Sequence, residues 1–207
     1  MPRWLERLSA ILACVLPATL LHAALETPKE PSAPASLAGQ MLIAAPNMGD
    51  PRFFHTVILM ARHDKNGALG IVINRPLDER PLASLLEAAG DKDTAAAGTV
   101  RVFYGGPVEP GIGFVLHSHE YHRSETIDID GEVSLTSSRG ILRDLARNQG
   151  PKKLLIAFGY AGWRGGQLEG EMAMRAWFTA PDDAKLVFDT DRDKLWDEAM
   201  KRRTRDL

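Results

Sequence analysis

The densest group of side chains suited to metal binding is HSHEYH, which carries three histidines between His117 and His122. On an extended strand His117 and His119 would face the same side, because side chains alternate along a strand. Three imidazoles are a ligand set that suits zinc. No second cluster of ligands in the sequence completes such a site. We therefore predict no metal site and expect solvated or hydrogen-bonded histidines, and we keep His117 as a candidate for a cleft or partner surface.

A second group of candidates lies in GYAGWRGGQLEGE, where five glycines stand within twelve residues. The spacing G-x-x-G-x-x-G-G matches neither the dinucleotide pattern G-x-G-x-x-G nor a P-loop. Glu169 and Glu171 at the start of the following helix would repel an anion. We predict a structural corner that buries Trp163 and in which Gln167 and Glu169 bond free amides of the turn. Gly162→Val and Trp163→Ala should then lower the melting temperature.

The motifs NRP and GGP place Asn74, Arg75, Gly105 and Gly106 at predicted strand ends. Two interpretations stay open. In the favoured one, Asn74 bonds the local backbone and the prolines end the strands. In the other, Asn74 and Arg75 line a cleft with the glycine-rich corner. The Arg75 guanidinium would then meet a carboxylate or phosphate in a fork geometry.

The sequence lacks the spacing of the common nucleophilic enzymes. It contains neither a G-x-S-x-G elbow nor an H-E-x-x-H motif. Ser118 stands between two histidines, but neighbours on a strand point to opposite faces. We predict no catalytic residue, metal or cofactor and lean towards a protein that is not an enzyme. The formal net charge of −2 shows no basic footprint, so we do not expect a nucleic-acid partner.

Residues 1–24 have the composition of a secretory signal peptide. Two arginines precede an uncharged run of 16 residues that ends in small side chains. An uncleaved anchor and a wrongly chosen start codon are the alternatives. Cys14, the one cysteine of the chain, lies inside this segment, so the mature protein would hold no thiol. Residues 25–39 predict a Pro-rich flexible tether, and residues 40–207 predict a single domain.

The elements that must position these residues begin with strands. MLIAAP predicts a short strand, and HTVILMARH predicts a strand buried on both faces. Asn66-Gly67 predicts a hairpin turn to ALGIVINRP. RVFYGGPVEPGIGFVLHS predicts two strands joined by a Gly/Pro turn. TIDIDGEVSLT alternates apolar and polar residues around Asp130-Gly131 and predicts a third hairpin.

The sequence predicts four helices. One helix starts near Pro81 and stops at Gly90, and another is capped by Ser137 or Ser138. KKLLIAF then predicts a strand, followed by the glycine-rich corner with its helix, a short strand KLVF and a last helix. Hairpins first and α/β alternation later indicate an α+β fold with a mixed sheet and flanking helices.

Four segments, in order and spacing, resemble the bacterial YqgE/AlgH family: LIAAPNMGDPRFFHTVIL, GALGIVINRP, YGGPV with VLHS, and GYAGWRGGQLEGE. The resemblance implies a mixed sheet partly closed into a small barrel and surrounded by helices. It implies no catalytic residues, because the family has none established. Two features depart from its pattern. One is the signal-like extension, and the other is His55, where we expect a basic residue, usually Arg.

Together these observations predict a non-enzymatic binding or regulatory protein that is exported to the periplasm or secreted. Its partner is an unidentified protein or small ligand, and it meets the membrane only through the signal segment. The alternative is a small-ligand binder or enzyme that uses a cleft near Arg75 and Trp163. A transcriptional regulator, as some family members are labelled, is the weaker hypothesis, and a cytoplasmic location is the alternative address.

Overall fold

The structure is a computed structural model that describes residues 36–91 and 96–204. The predicted signal segment, Cys14, most of the predicted tether and the end of the basic tail lie outside the described residues. The described residues contain ten strands. They are β1 (Gln40–Ala44), β2 (Val57–Asp64), β3 (Gly67–Val72), β4 (Pro76–Pro81), β5 (Thr99–Tyr104), β6 (Val108–Ser118), β7 (Ile127–Asp128), β8 (Val133–Thr136), β9 (Leu154–Arg164) and β10 (Trp177–Pro181).

The described residues also contain helices that flank the sheet. They are α1 (Leu82–Ala88), α2 (Gly140–Ala146), α3 (Gln167–Ala173), α4 (Ala184–Phe188) and α5 (Leu195–Lys201), with a short 3-10 helix at Pro51–Phe53. None of these helices is long and apolar enough to cross a membrane.

The strands form one sheet in the order β10-β1-β2-β3-β9-β6-β8-β7, to which β4 and β5 are added beside β9. The pair β5–β9 is parallel, and the other pairs are antiparallel. The long strand β9 pairs with β3, β5 and β6 along different parts of its length. The sheet curls there into a half-barrel flanked by helices, so the α+β fold with a partly closed mixed sheet is confirmed.

Both faces of the sheet are buried. The face that we call the first face carries the largest core cluster, where α4 and α5 pack on residues such as Ile43 and Leu59. The opposite, second face carries two smaller clusters. One includes Leu42 and Trp163 and lies against α3, and the other includes Ile156 and lies against α1 and α2. Because central strands are covered on both sides, their sequences are continuous apolar runs.

Gly159 changes the direction in which the side chains of β9 point. Before it, Leu155 and Ala157 pack on the first face. After it, Tyr160 packs on the first face and Trp163 on the second. Gly159 has a φ of 76°, a left-handed conformation that glycine supplies in β-bulges. The facing strand β6 shifts its register at the same place. The bulge therefore turns the even-numbered positions after Gly159 onto the first face.

The prediction for the segment between α3 and α5 was wrong. KLVF, expected as a strand, belongs to α4, and the strand of this region is β10, which begins at Trp177. Asp183 caps α4, because its carboxylate accepts a hydrogen bond from the backbone N–H of Lys185 at 2.7 Å. Leu186 and Val187 are buried in that helix. A short apolar run fits either a strand or a helix, and here the cap favours the helix.

The hairpins β2–β3 and β7–β8 are present, but the first turn is displaced by one residue. Asp64 pairs with Gly67, so Lys65 and Asn66 form the turn instead of Asn66-Gly67. The strands β5 and β6 are present but do not pair with each other, because β9 lies between them and pairs with both.

The strand β3 ends at Val72, just before the NRP motif, as expected, and an additional strand that we did not predict, β4, begins at the proline of that motif. All of its residues are exposed, it pairs only with β5, and a proline stands at each end, which suits an edge strand.

Contacts with the domain begin four residues before the predicted boundary at Gln40. The Ser36 hydroxyl donates a hydrogen bond to the carbonyl of His63 at 3.0 Å. The backbone N–H of Leu37 donates to Nδ1 of His63 at 3.1 Å.

Candidate functional site

Asn74 and Arg75 bond the loop that precedes β2. Asn74 accepts a hydrogen bond from the backbone N–H of Val57 and donates one to the carbonyl of His55, both at 2.9 Å. Arg75 donates from Nη2 to the carbonyl of Phe54 at 2.9 Å and to the Thr56 hydroxyl at 3.0 Å. Asn74 thus bonds backbone, as in the favoured interpretation, but that of a loop 17 and 19 residues away instead of its own. The contacts of Arg75 engage one arm of its guanidinium fork.

The loop that they hold carries an aromatic stack. The His55 ring lies between those of Phe54 and Trp196, with centroids 4.1 Å away on each side. His55 has a φ of 51°, which is strained for a residue with a side chain. We expected a basic residue at this position. The histidine that stands there stacks on Trp196 of α5 and on the adjacent Phe54.

Gly105 and Gly106 lie where two backbones cross. The backbone N–H of Gly105 donates to the carbonyl of Phe158, and its carbonyl accepts from the N–H of Val72. A Cβ on Gly106 would collide with the backbone of Tyr160. The two glycines thus allow the chain to pass close over β9. Close backbone packing explains why glycines stand at these two candidate positions.

The histidine cluster does not share one face. His117 is fully buried, and its ring nitrogens bond the carbonyl of Ser118 at 3.0 Å and the Thr136 hydroxyl at 2.9 Å. Burial lowers the pKa of His117, which favours the neutral imidazole. His119 is exposed and lies 3.7 Å from the carboxylate of Asp128. The expected alternation is wrong here because β6 ends at Ser118. Within residues 36–91 and 96–204 no three His, Cys, Asp or Glu side chains are grouped to hold a metal.

The glycine-rich segment is mostly strand, so the predicted corner is much shorter than expected. The strand β9 continues to Arg164, and only Gly165 and Gly166 form the turn before α3. Gln167 accepts a hydrogen bond from the backbone N–H of Arg164 at 3.2 Å, the capping contact that we expected. Trp163 is 7% exposed, so its expected burial is confirmed.

Glu169 bonds a side chain of another strand, not an amide of the turn. Its carboxylate lies 3.0 Å from Nε2 of His63. Since Nδ1 of His63 accepts from the backbone of Leu37, its Nε2 carries the hydrogen that is donated to Glu169. This contact ties α3 to β2 and to the residues before β1.

Glu171 joins three side chains on the second face. One carboxylate oxygen accepts hydrogen bonds from the indole N–H groups of Trp163 at 2.9 Å and Trp177 at 2.8 Å. The other oxygen accepts from the side-chain amide of Gln167 at 2.9 Å. The two indoles meet edge to face, with centroids 5.9 Å apart. Glu171 was expected only to disfavour an anion, and its sequence position carried no signal of this bridging role.

A groove of about 660 Å³ opens beside the end of β9. Pairing places Arg62 of β2, Leu69 of β3 and Gly162 of β9 in one row across the sheet. Tyr160 and Gly162 share the first face, because they are two residues apart on the strand. A Cβ on Gly162 would lie 3.0 Å from the Tyr160 ring, so the ring packs closely beside this exposed glycine and a larger side chain there would displace it.

The next row of the sheet supplies charge on the same face. It contains Asp64, Gly67 and Arg164, so Arg62 and Arg164 occupy diagonal corners of a small patch. From strand spacing and rise, their Cα atoms are about 12 Å apart. Neither guanidinium has a hydrogen bond or ion pair among the described residues, whereas Asp64 accepts from the backbone N–H of Asn66 at 2.7 Å. Two cations and one engaged carboxylate leave the groove with a net positive charge.

The structure divides the candidate residues among several places. Gly162, Trp163 and Gln167 line the groove, although the Trp163 ring points to the second face. The other six lie in the contacts described above. Sequence reasoning missed the groove residues Arg62, Tyr160 and Arg164. The alternation of positions 160, 162 and 164 would have grouped two of them, had β9 been predicted to continue beyond Phe158.

The sequence profile of a family described as AlgH-like matches residues 41–207. The chain belongs to the AlgH-like family. A UPF0301 protein of Rhodospirillum rubrum is 44% identical over 166 residues, covering 80% of this chain and 86% of that protein. A UPF0301 protein of Pseudomonas entomophila is 46% identical over 158 residues, covering 75% and 82%.

Solved structures share this AlgH-like fold. The solution structure of AlgH from Pseudomonas aeruginosa matches with a TM-score of 0.69 and 37% identity, covering 84% of this chain and 92% of that protein. The crystal structure of DIP2367 from Corynebacterium diphtheriae matches with a TM-score of 0.63 and 19% identity, covering 80% and 86%. The second likeness concerns the fold alone. The comparisons thus establish family and fold, and they establish no specific function.

Proposed function

We propose that this AlgH-like protein is a non-enzymatic binding protein that holds a small organic anion in the groove of Arg62, Tyr160, Gly162 and Arg164. The observation that carries the proposal is the pair of guanidinium groups that have no partner in residues 36–91 and 96–204, placed at opposite corners of a patch floored by glycine and leucine. Guanidinium groups bind carboxylates and phosphates through two parallel hydrogen bonds. The diagonal spacing allows both side chains to bend towards one anion.

The floor of the groove indicates what else the ligand carries. Gly162 and Leu69 offer a flat apolar surface, and the Tyr160 ring stands beside it with a hydroxyl that has no partner among the described residues. A flat apolar group fits on such a surface next to an aromatic ring. The ligand that we propose therefore combines one carboxylate or phosphate with a planar apolar part.

Phenyl phosphate is a suitable probe, with inorganic phosphate as the probe that lacks the ring. In a titration followed by NMR amide shifts, phenyl phosphate should move the signals of Leu69, Gly162 and Arg164 in a saturable way. Inorganic phosphate should bind more weakly at the same place. A charge-assisted hydrogen bond contributes about 1.5–3 kcal/mol, so Arg62→Gln or Arg164→Gln should weaken phenyl phosphate about tenfold or more.

Arg175→Gln serves as the matched control, because Arg175 is exposed and bonds only through its backbone. It should leave the affinity unchanged. Equal affinity of the parent and the Arg62→Gln/Arg164→Gln double variant would refute the proposal. Shifts confined to another surface would refute it as well.

We further propose that the protein is exported, through removal of residues 1 to about 24. Arg3 and Arg7, the uncharged run that follows them and the Pro-rich segment after that run support export. Intact-mass measurement of the protein from fractionated native cells tests it. A cytosolic protein whose mass still includes Met1 would contradict export, and the groove proposal would stand unaffected.

A further inference from the structure

A separate cavity of about 290 Å³ lies on the second face, between α1, α2 and the sheet. Its floor is Val115 and Ile156, and Leu85, Ile141, Leu142 and Phe158 form much of the wall. Ile141 is buried in the small core cluster of this face. The cavity is therefore an extension of an apolar core, and it lies on the face of the sheet opposite to the charged groove.

Small side chains and a bulged strand keep this space open. Where α1 borders the cavity it carries Ala88 and is followed by Ala89. Across from them, a Cβ on Gly111 would have no atom within 4 Å. Ile112 lines the same space and is 42% exposed. A large apolar side chain left in water beside an apolar cavity is a surface that an apolar ligand would cover.

Among the described residues that line the cavity, Arg139 alone carries a formal charge. Its Nη1 donates to the carbonyl of Ala89 at 2.6 Å, which ties the start of α2 to the end of α1. Its Nε and Nη2 hydrogens have no partner among the described residues. The neighbouring acid, Asp91, is ion-paired with Arg143. The cavity therefore combines an apolar interior with one anchored cation at its rim.

We infer that this cavity binds a medium-chain aliphatic carboxylate, with the chain inside and the carboxylate on Arg139. At about 30 Å³ for each water-sized group, the space holds roughly ten non-hydrogen atoms, the number in octanoate. The Ser137 hydroxyl at the same rim is a second donor for the carboxylate. The inference is independent of the anion groove, because no residue is shared by the two sites.

Octanoate is the probe, and it is tested below its micelle-forming range on the purified full chain by NMR titration. Saturable shifts should appear at Gly111, Val115 and Leu142, and the signal of Gly162 should stay in place. Octanol, which lacks the charge, should bind at least tenfold more weakly. Butyrate should also bind more than tenfold more weakly, because it buries fewer methylene groups. Absence of saturable shifts, or octanol binding as tightly as octanoate, would overturn the inference.

Variants separate the head group from the chain. Arg139→Gln should weaken octanoate about tenfold and leave octanol unchanged. Arg147→Gln, at the opposite end of α2 and without a side-chain partner among the described residues, should change neither. Leu142→Trp should fill the cavity and abolish binding of both probes. Ala88→Leu should fill the cavity from an exposed position of α1, so it tests the same point if Leu142→Trp does not fold. A folded Ala88→Leu or Leu142→Trp protein that still binds octanoate like the parent would overturn the assignment.

Discussion

Removal of the Glu171 carboxylate should destabilise the protein more than most single substitutions. The side chain accepts hydrogen bonds from the indole N–H groups of Trp163 and Trp177, which are 7% and 4% exposed. In Glu171→Ala both donors would lose their acceptor, and water has little access to replace it. Each unsatisfied buried donor costs about 1–3 kcal/mol, so the free energy of unfolding should fall by about 2–6 kcal/mol.

Two companion variants make the measurement specific. Glu171→Gln retains an acceptor oxygen but removes the charge, and neutral hydrogen bonds are roughly half as strong, so its loss should be near half of that in Glu171→Ala. Glu87→Ala removes an exposed glutamate of α1 whose side chain makes no hydrogen bond or ion pair within the described part of the chain. It should stay within about 0.5 kcal/mol of the parent.

Urea unfolding monitored by circular dichroism measures these changes, and thermal melting checks them. At about 2–4 °C for each kcal/mol in a domain of this size, Glu171→Ala should melt on the order of 10 °C lower. The two indole N–H resonances should also move in NMR spectra. If Glu171→Ala unfolds within about 0.5 kcal/mol of the parent, the carboxylate does not satisfy the indoles and the reasoning fails.

Three further predictions concern pH, the groove and nucleic acid. Burial, followed by the Asp130 carboxylate, raises the pKa of Asp182 from 3.8 to about 8. The folded state therefore keeps a proton that the unfolded state releases, and stability should fall as pH rises between these values. Asp182→Asn should flatten that slope in urea titrations at several pH values, and an unchanged slope would contradict the assignment. Contrary to the melting loss that we expected from the sequence, Gly162→Val should melt within a few degrees of the parent, because Gly162 lies in a strand without positive φ. It should lose phenyl phosphate, because the valine displaces the Tyr160 ring and fills the floor of the groove. A large melting loss would support the original corner. In a mobility-shift assay at physiological salt the protein should not bind duplex DNA, and sub-micromolar binding that is lost on trimming the tail after Lys201 would refute this.

Local signals predicted the parts of the fold whose cause is local. The buried strand β2 and the β7–β8 hairpin follow from an apolar run and from Asp130-Gly131, and α5 follows from the spacing of its apolar residues. His117 was expected to be hydrogen-bonded, and both ring nitrogens have partners. The strand, the hairpin and the helix depend on residues within a few positions of one another, which is the range over which periodicity and turn chemistry act, whereas His117 also bonds Thr136, 19 residues away.

The features that were missed depend on contacts that neither periodicity nor turn chemistry signals, whether the partners are near or far apart in the sequence. KLVF was compatible with a strand, and the Asp183 cap with burial against the first face made it a helix. Glu171 has no local feature that announces its two indole partners. The pairing of β9 with both β5 and β6 separated two strands that sequence order suggested as neighbours.

The candidate groove shows how one residue can decide a site without a local signal. Five glycines stand in the segment that contains β9 and the following turn, and their composition alone does not reveal which one forms a bulge. Gly159 forms the bulge because its backbone packs against the carbonyl of Gly106, where the two chain segments cross. These segments are far apart in the sequence. A strand without this bulge would direct Tyr160 and Arg164 to the second face, beneath α3, and Arg62 would have no partner across the sheet. The chemistry of the groove is thus set by the position of a glycine whose role becomes visible only when the strands are paired.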